Sequence, residues 1–168
     1  MSDILDQIET CVPALRRYAR ALTRNLDLAD DLVQDCLERA ISRRALFRPT
    51  GTVRAWLFTI LLNLYRNDLR SSHRRGDMVD IASIPEPATP PTQPGHLALA
   101  ELARAIEILP IEQKEALLLI ALEGFSYAEA ASVLGIAQGT LMSRLGRARA
   151  SLRLATGAVA EPHLRTVK

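Results

Sequence analysis

At 168 residues, with 48% hydrophobic and 24% charged side chains, the chain is long enough for one domain or two small ones, and its many i, i+3, i+4 apolar repeats predict an all-α fold. No run approaches the roughly eighteen apolar residues that span a bilayer, the acidic N-terminus is unlike a signal peptide, and Cys11 and Cys36 are too few and too far apart for a disulfide framework or a CxxC metal site, so a cytoplasmic protein with two core cysteines is expected. The formal net charge of +2 hides a segregation: residues 1 to 40 carry five Arg against eight Asp plus Glu, a net of −3, whereas residues 41 to 75 carry eight Arg against Asp68 alone, a net of +7 that suggests a nucleic-acid footprint.

The first helix is expected over Asp6 to Thr23, with Pro13 either in its first turn or kinking it. A second begins after Asp27. Leu28, Leu32, Val33, Cys36, Leu37 and Ala40 supply its buried stripe, and Asp30, Asp31, Gln34, Asp35 and Glu38 fall together on the opposite side. Such a face is ordinarily solvated, yet four acids and a glutamine on one arc also suit docking onto a basic helix of a partner. A third helix, about Val53 to Leu62, buries Trp56, Leu57, Ile60 and Leu61, with Trp56 read as core rather than as a stacking platform. Asn63 to Arg75, NLYRNDLRSSHRR, then opens in a polar turn. It interleaves Tyr65 and His73 with Arg66, Arg70, Arg74, Arg75 and the amides Asn63 and Asn67, a composition suited to single-stranded or distorted nucleic acid. An Arg-rich helix end also complements the helix dipole, but four arginines beside an aromatic and two amides exceed that need.

Pro85, Pro87, Pro90, Pro91 and Pro94 mark a flexible linker, residues 76 to 96, extended and stiff enough to hold two domains apart without packing them together. The expected division is a first helical domain over 1 to 75, a second over 97 to 155, and a tail from 156 to 168. Within the second, Ser126 to Arg149, SYAEAASVLGIAQGTLMSRLGRAR, reads as a helix-turn-helix. Ser126 and Glu129 form a capping box, Ala131 admits a close crossing, Gly135 leaves the helix with positive φ, and Ile136 tucks inward. The second helix starts near Gln138 with Leu141, Leu145 and Ala148 facing the core. Its other face carries Thr140, Met142, Ser143, Arg144 and Arg147, suited to phosphates and base edges, or, more plainly, to solvent.

In this order the pieces resemble a bacterial sigma factor of the extracytoplasmic-function (ECF, group 4) type within the sigma-70 family. LRRYARALTRNLDLADDLVQDCLERA is similar to the family's first stretches, and FRPTGTVRAWLFTILLNLYRNDLRSSHRR to the part that opens and reads the promoter −10 element. ALAELARAIEILPIEQKEALLLIALEGFSYAEAASVLGIAQGTLMSRLGRARASL resembles the domain that reads the −35 element. The resemblance implies that Asp30, Asp31, Gln34, Asp35 and Glu38 bind a coiled coil of core RNA polymerase. Asn63 would hold a base flipped from the non-template strand, with Tyr65, Arg66, Asn67, Arg70, Arg74 and Arg75 gripping nearby −10 DNA. Gln138, Gly139, Thr140, Met142, Ser143, Arg144 and Arg147 would contact the −35 duplex. The family often has Pro before the GT of the recognition helix and a basic or small residue at the place of Met142, whereas this chain reads AQGTLMSR.

Implied partners are core RNA polymerase, promoter DNA and an anti-sigma factor, for a chain that is monomeric when free and does not insert into membranes. No catalytic set, metal cluster or cofactor motif is present in the sequence, and His73, His96 and His163 are scattered in or beside expected loops, so neither enzyme activity nor a cofactor is expected. A stand-alone helix-turn-helix regulator, or a sigma mimic that sequesters an anti-sigma factor, are the alternative readings.

Overall fold

The computed structural model describes residues 3–48, 51–76 and 94–157. Among them the chain is all-α: α1 (Ile4–Thr23), α2 (Leu26–Ser42), a single 3-10 turn (Arg44–Leu46), α3 (Val53–Arg75), α4 (Pro94–Glu107), α5 (Ile111–Ala121), α6 (Tyr127–Leu134) and α7 (Gln138–Thr156). Most of the expected linker, residues 77–93, and most of the expected tail, 158–168, lie outside the described residues.

Local chemistry sets most boundaries. α1 ends at Arg24, which adopts the left-handed conformation (φ 55°) and donates its N–H to the Arg20 carbonyl at 3.0 Å. One residue later Asn25 caps α2, its side-chain oxygen accepting from the Leu28 N–H at 3.0 Å. Pro13 sits well inside α1, which excludes the first-turn alternative; its exposed ring lies on the solvent side, where the missing N–H is cheapest. Thr52 caps α3 by accepting from the Ala55 N–H at 3.1 Å, and Gly76 closes it with φ 68°. The Ser126–Glu129 capping box is present in full, and Gly135 at φ 67° builds the exit from α6. There the Ile136 N–H bonds the Ala131 carbonyl and the Gly135 N–H bonds the Ser132 carbonyl, the paired bonds of a Schellman motif.

Two expectations are corrected. α3 does not stop at Leu62: it continues to Arg75, so Asn63 lies mid-helix rather than at a turn, and His73 is helical too. No Gly or Pro falls between Val53 and Arg75 to break the ladder. Leu28 is exposed rather than part of the α2 core stripe, because the buried positions run Ala29, Leu32, Val33, Cys36 and Ala40.

The larger correction concerns the two halves. α1, α2 and α3 pack on one another, as do α4 to α7, but α3 also packs on α6 and α1 on α5, so the apolar residues of both halves form one continuous core. Phe58 of α3 is its hinge point, meeting Tyr18 edge-on at 5.1 Å and Phe125, in the turn before α6, at 5.0 Å. A proline-rich connection restrains how far its ends can separate, but it exerts no force that keeps two complementary faces from docking.

Candidate nucleic-acid interface

The continuity of α3 aligns the polar residues beyond Leu62. Asn63, Arg66, Asn67, Arg70 and Arg74 stand at i, i+3, i+4, i+7 and i+11 and so share one stripe about a third of the helix wide. Asn63, Asn67, Arg70 and Arg74 are exposed along it. Arg75 lies at the rim, in the last turn, with His73 and Arg74 beside it to complement the helix C-terminus. Tyr65 points elsewhere. It is half-buried on the opposite arc, its hydroxyl donating to the Leu22 carbonyl at 3.5 Å, and burial, then the Glu115 carboxylate, push its pKa up to about 12. Here Tyr65 is a packing residue that ties α3 to α1.

Arg66 is not free. Its Nε and Nη2 donate to the two carboxylate oxygens of Glu115 at 3.0 and 2.6 Å, a bidentate pair, and Glu115 itself is fully buried in α5. That bond is also the main reason the guanidinium is held charged more firmly than usual.

The helix-turn-helix follows the expected plan. Leu141, Leu145 and Ala148 are buried, Ile136 is half-buried against the core, and α7 begins at Gln138. Gln138, Gly139, Thr140, Met142, Ser143 and Arg147 are all exposed around the start of the helix, a surface that is polar but for the Met142 side chain. Arg144 differs: its side chain is only 18% exposed, and it stands 3.6 Å from Glu112 of α5. Both arginine sets meet in one open cleft of about 510 Å³, lined by Arg66, Leu69 and Arg70 of α3, by Glu112 and Glu115 of α5, and by Arg144.

The acidic arc of α2 is intact. Asp30, Asp31, Gln34, Asp35 and Glu38 are all exposed; Gln34 donates to Glu38 at 3.1 Å, and Asp30 lies 3.8 Å from Arg20. Cys36 on the opposite arc is buried with its thiol on the Leu57 carbonyl at 3.4 Å, and burial drives its pKa up to about 12, so it is packing rather than reactive. Cys11 is half-buried, and neither cysteine is in a disulfide. Trp56 is half-buried and stacks tilted on Phe47 at 5.2 Å.

The residues that sequence reasoning missed are the acids of the second half. Glu115 and Glu123 are buried, and Glu123 takes Arg17 of α1 bidentately at 2.9 and 2.8 Å and Arg54 of α3 at 3.1 Å. Their signal was available: both acids stand within EALLLIALEGF, an otherwise apolar run, where a carboxylate persists only if partnered. Among the described residues no group of three His, Cys, Asp or Glu side chains is placed to hold a metal, and no helix is long and apolar enough to cross a membrane.

Comparison with known proteins places this geometry. Residues 8–62 match the family model described as the Sigma2 domain of PhyR, and residues 99–152 match that of sigma-70 region 4. The fold also superposes on the sigma factor RpoE solved with the anti-sigma factor NepR from Bartonella quintana, with a TM-score of 0.77 and 37% identity, covering 94% of this chain and 99% of that one. CnrH, solved with the cytosolic domain of CnrY, gives a TM-score of 0.68 at 30% identity over 92% of this chain and 88% of the other. An Arg-striped helical unit followed by a helix-turn-helix unit, matched in that order by the two family models, places the chain in the sigma-70 class of transcription initiation factors. In sequence the chain is 44% identical to the ECF RNA polymerase sigma factor EcfG of Rhodopseudomonas palustris over 88% of its own length and 81% of the relative's. It is 35% identical to the ECF factor SigM of Mycobacterium tuberculosis over 82% and 69%. The chain belongs to the ECF RNA polymerase sigma factors.

Proposed function

We propose that residues 1–75 bind core RNA polymerase and melt the −10 element, that residues 97–155 read the −35 element, and that residues 76–96 join them, with 156–168 as a tail. The acidic arc of α2, Asp30, Asp31, Gln34, Asp35 and Glu38, docks on core polymerase. Asn63 captures a flipped base while Arg66, Asn67, Arg70, Arg74 and Arg75 hold the strand, and the exposed start of α7 with Arg144 and Arg147 enters the −35 major groove. The observation that carries the reading is the single stripe of amides and arginines on α3 in the same chain as a complete helix-turn-helix. The protein acts in the cytoplasm, is monomeric when free and performs no catalysis. It is held by an anti-sigma factor, a reading supported by the sigma factor RpoE, solved in complex with the anti-sigma factor NepR.

A sigma mimic is the second reading, favoured by the match of residues 8–62 to a PhyR model and by a TM-score of 0.63 at 25% identity to the PhyR–NepR complex of Sphingomonas. Transcription in vitro with purified core polymerase and a promoter library separates the two. Promoter-specific initiation is expected, lowered by about 1 to 3 kcal/mol of −35 binding in Arg144→Ala with Arg147→Ala. No initiation from any template, with release of another sigma factor from its anti-sigma factor, would establish the mimic instead.

A further inference from the structure

The outward face of α7 carries one long side chain unlike its polar neighbours. Met142 is 55% exposed beside Thr140 and Ser143, while Arg144 leans away toward Glu112. From Thr140 to Arg147 the long side chains left exposed are Met142 and Arg147. At 3.6 residues per turn they stand roughly 140° apart, one on each flank of an arc whose middle is Gly139, Ser143 and Gly146. A glycine in mid-helix weakens the helix, and a Cβ at Gly146 would meet nothing within 4 Å, so no packing among the described residues asks for a glycine there. Bare backbone at that point lets α7 approach an outside surface closely. Met142 then forms an apolar ridge along one side of the approach and Arg147 a cationic one along the other.

The chemistry of the apolar ridge selects its contact. A thioether has no donor and only a weak acceptor, so Met142 cannot read a base edge by hydrogen bonds as Arg147 or Ser143 can. Among the groups that base pairs present in the major groove, the thymine 5-methyl is the apolar one, and an unbranched, polarisable side chain adapts to it readily. We propose that Met142 is a specificity-determining residue that packs on the 5-methyl group of a thymine in the −35 element, so that one A·T pair is preferred there on account of its methyl group. This role rests on the assignment of α7 to the −35 duplex under the proposed function. Burial of one methyl group corresponds to about fourfold in affinity, which sets the size of the effect.

The test uses the full chain in complex with core polymerase and a promoter selected from a library. Competition binding compares thymine with deoxyuridine at each A·T pair of the −35 element in turn, a change that removes the methyl group and keeps every hydrogen-bonding group. At one position uracil should weaken wild-type binding about fourfold. Met142→Ala should bind the two duplexes alike, at the level of wild type on the uracil duplex. Alanine is a good helix former at this exposed site, so the substitution leaves the fold intact. Equal wild-type binding of thymine and uracil at every position, a selected −35 element with no A·T pair, or a loss that persists in full in Met142→Ala overturns the role of Met142. A promoter with every −35 base pair replaced shows which assignment has failed. If that replacement weakens binding while uracil does not, α7 still reads the duplex and Met142 alone is excluded. If it binds as well as the selected promoter, or if no promoter is selected at all, the assignment of α7 falls and the role of Met142 with it.

Discussion

Asn63 shows how one residue's meaning depends on its helix. Its amide offers both a donor and an acceptor, and at an exposed mid-helix position it has no backbone group to cap, so a structural role is hard to assign to it. Four residues on stands Asn67, with Arg66 and Arg70 flanking, all within reach of one strand. Asn63→Ala is expected to leave helicity, core polymerase binding and closed-complex formation unchanged, since Ala favours helix. It should impair strand opening, with a pre-melted template restoring most of the activity, because base capture offsets an unstacking cost of a few kcal/mol. Permanganate footprinting of the −10 region checks this: normal thymine reactivity in the mutant complex would place the capture site elsewhere.

Two elements make separable predictions. In α6 the Ser126 N–H and hydroxyl bond the Glu129 carboxylate at 3.0 and 2.7 Å, and the first of these is the larger cause of a pKa held below its ordinary value of 4.5. A carboxylate with a lowered folded pKa contributes stability that is complete above its unfolded pKa and is lost as pH falls through the folded one. Ser126→Ala keeps the backbone N–H bond but removes the cap hydroxyl, which accepts from the Glu129 N–H and donates to its carboxylate; it should cost about 1 kcal/mol near neutral pH, with the hydroxyl–carboxylate share of that gap fading in acid, as followed by denaturant titration at two pH values. In α2 the acidic arc lies opposite the buried stripe, so its charges can be reversed without touching the core. Asp31→Lys with Asp35→Lys is expected to weaken core polymerase binding by ~2 to 5 kcal/mol if the charges are desolvated in the complex, with circular dichroism unchanged. Equal affinity in a titration removes α2 from the interface.

At the scale of the molecule, the docking of the two halves turns on a few aromatic contacts as much as on ions. Phe125 is buried, meets Phe58 edge-on, and is covered by Arg54. Truncating a buried Phe costs about 3 to 5 kcal/mol, and here much of that loss falls on the contact between halves rather than within either. Phe125→Ala is expected to lower the melting temperature and to split one cooperative transition into two in scanning calorimetry. A single transition at the wild-type midpoint would show that Phe125 contributes little to the coupling.

The helix-turn-helix was legible in the sequence because its determinants are local. A capping box spans four residues, a left-handed glycine acts at one, and the stripe of Leu141, Leu145 and Ala148 needs only a period of 3.6. The acidic arc of α2 was legible for the same reason. Less local features were misread. The length of α3 was lost because a shift from apolar to polar composition at Asn63 looks like a helix end, although a helix that leaves its core simply becomes polar. Leu28 shares a face with the buried stripe yet is exposed, because periodicity fixes which residues share a face but not which turn of the helix its neighbours cover. What only the tertiary structure decided is that the two halves dock. The partners Arg17 and Glu123 are 106 residues apart, Arg66 and Glu115 are 49 apart, and no pattern in either segment names the other. The pairing of distant charges is a property of the packed surfaces, which is why the sequence alone assigned Arg66 to DNA, while the fold pairs it with the buried Glu115 carboxylate.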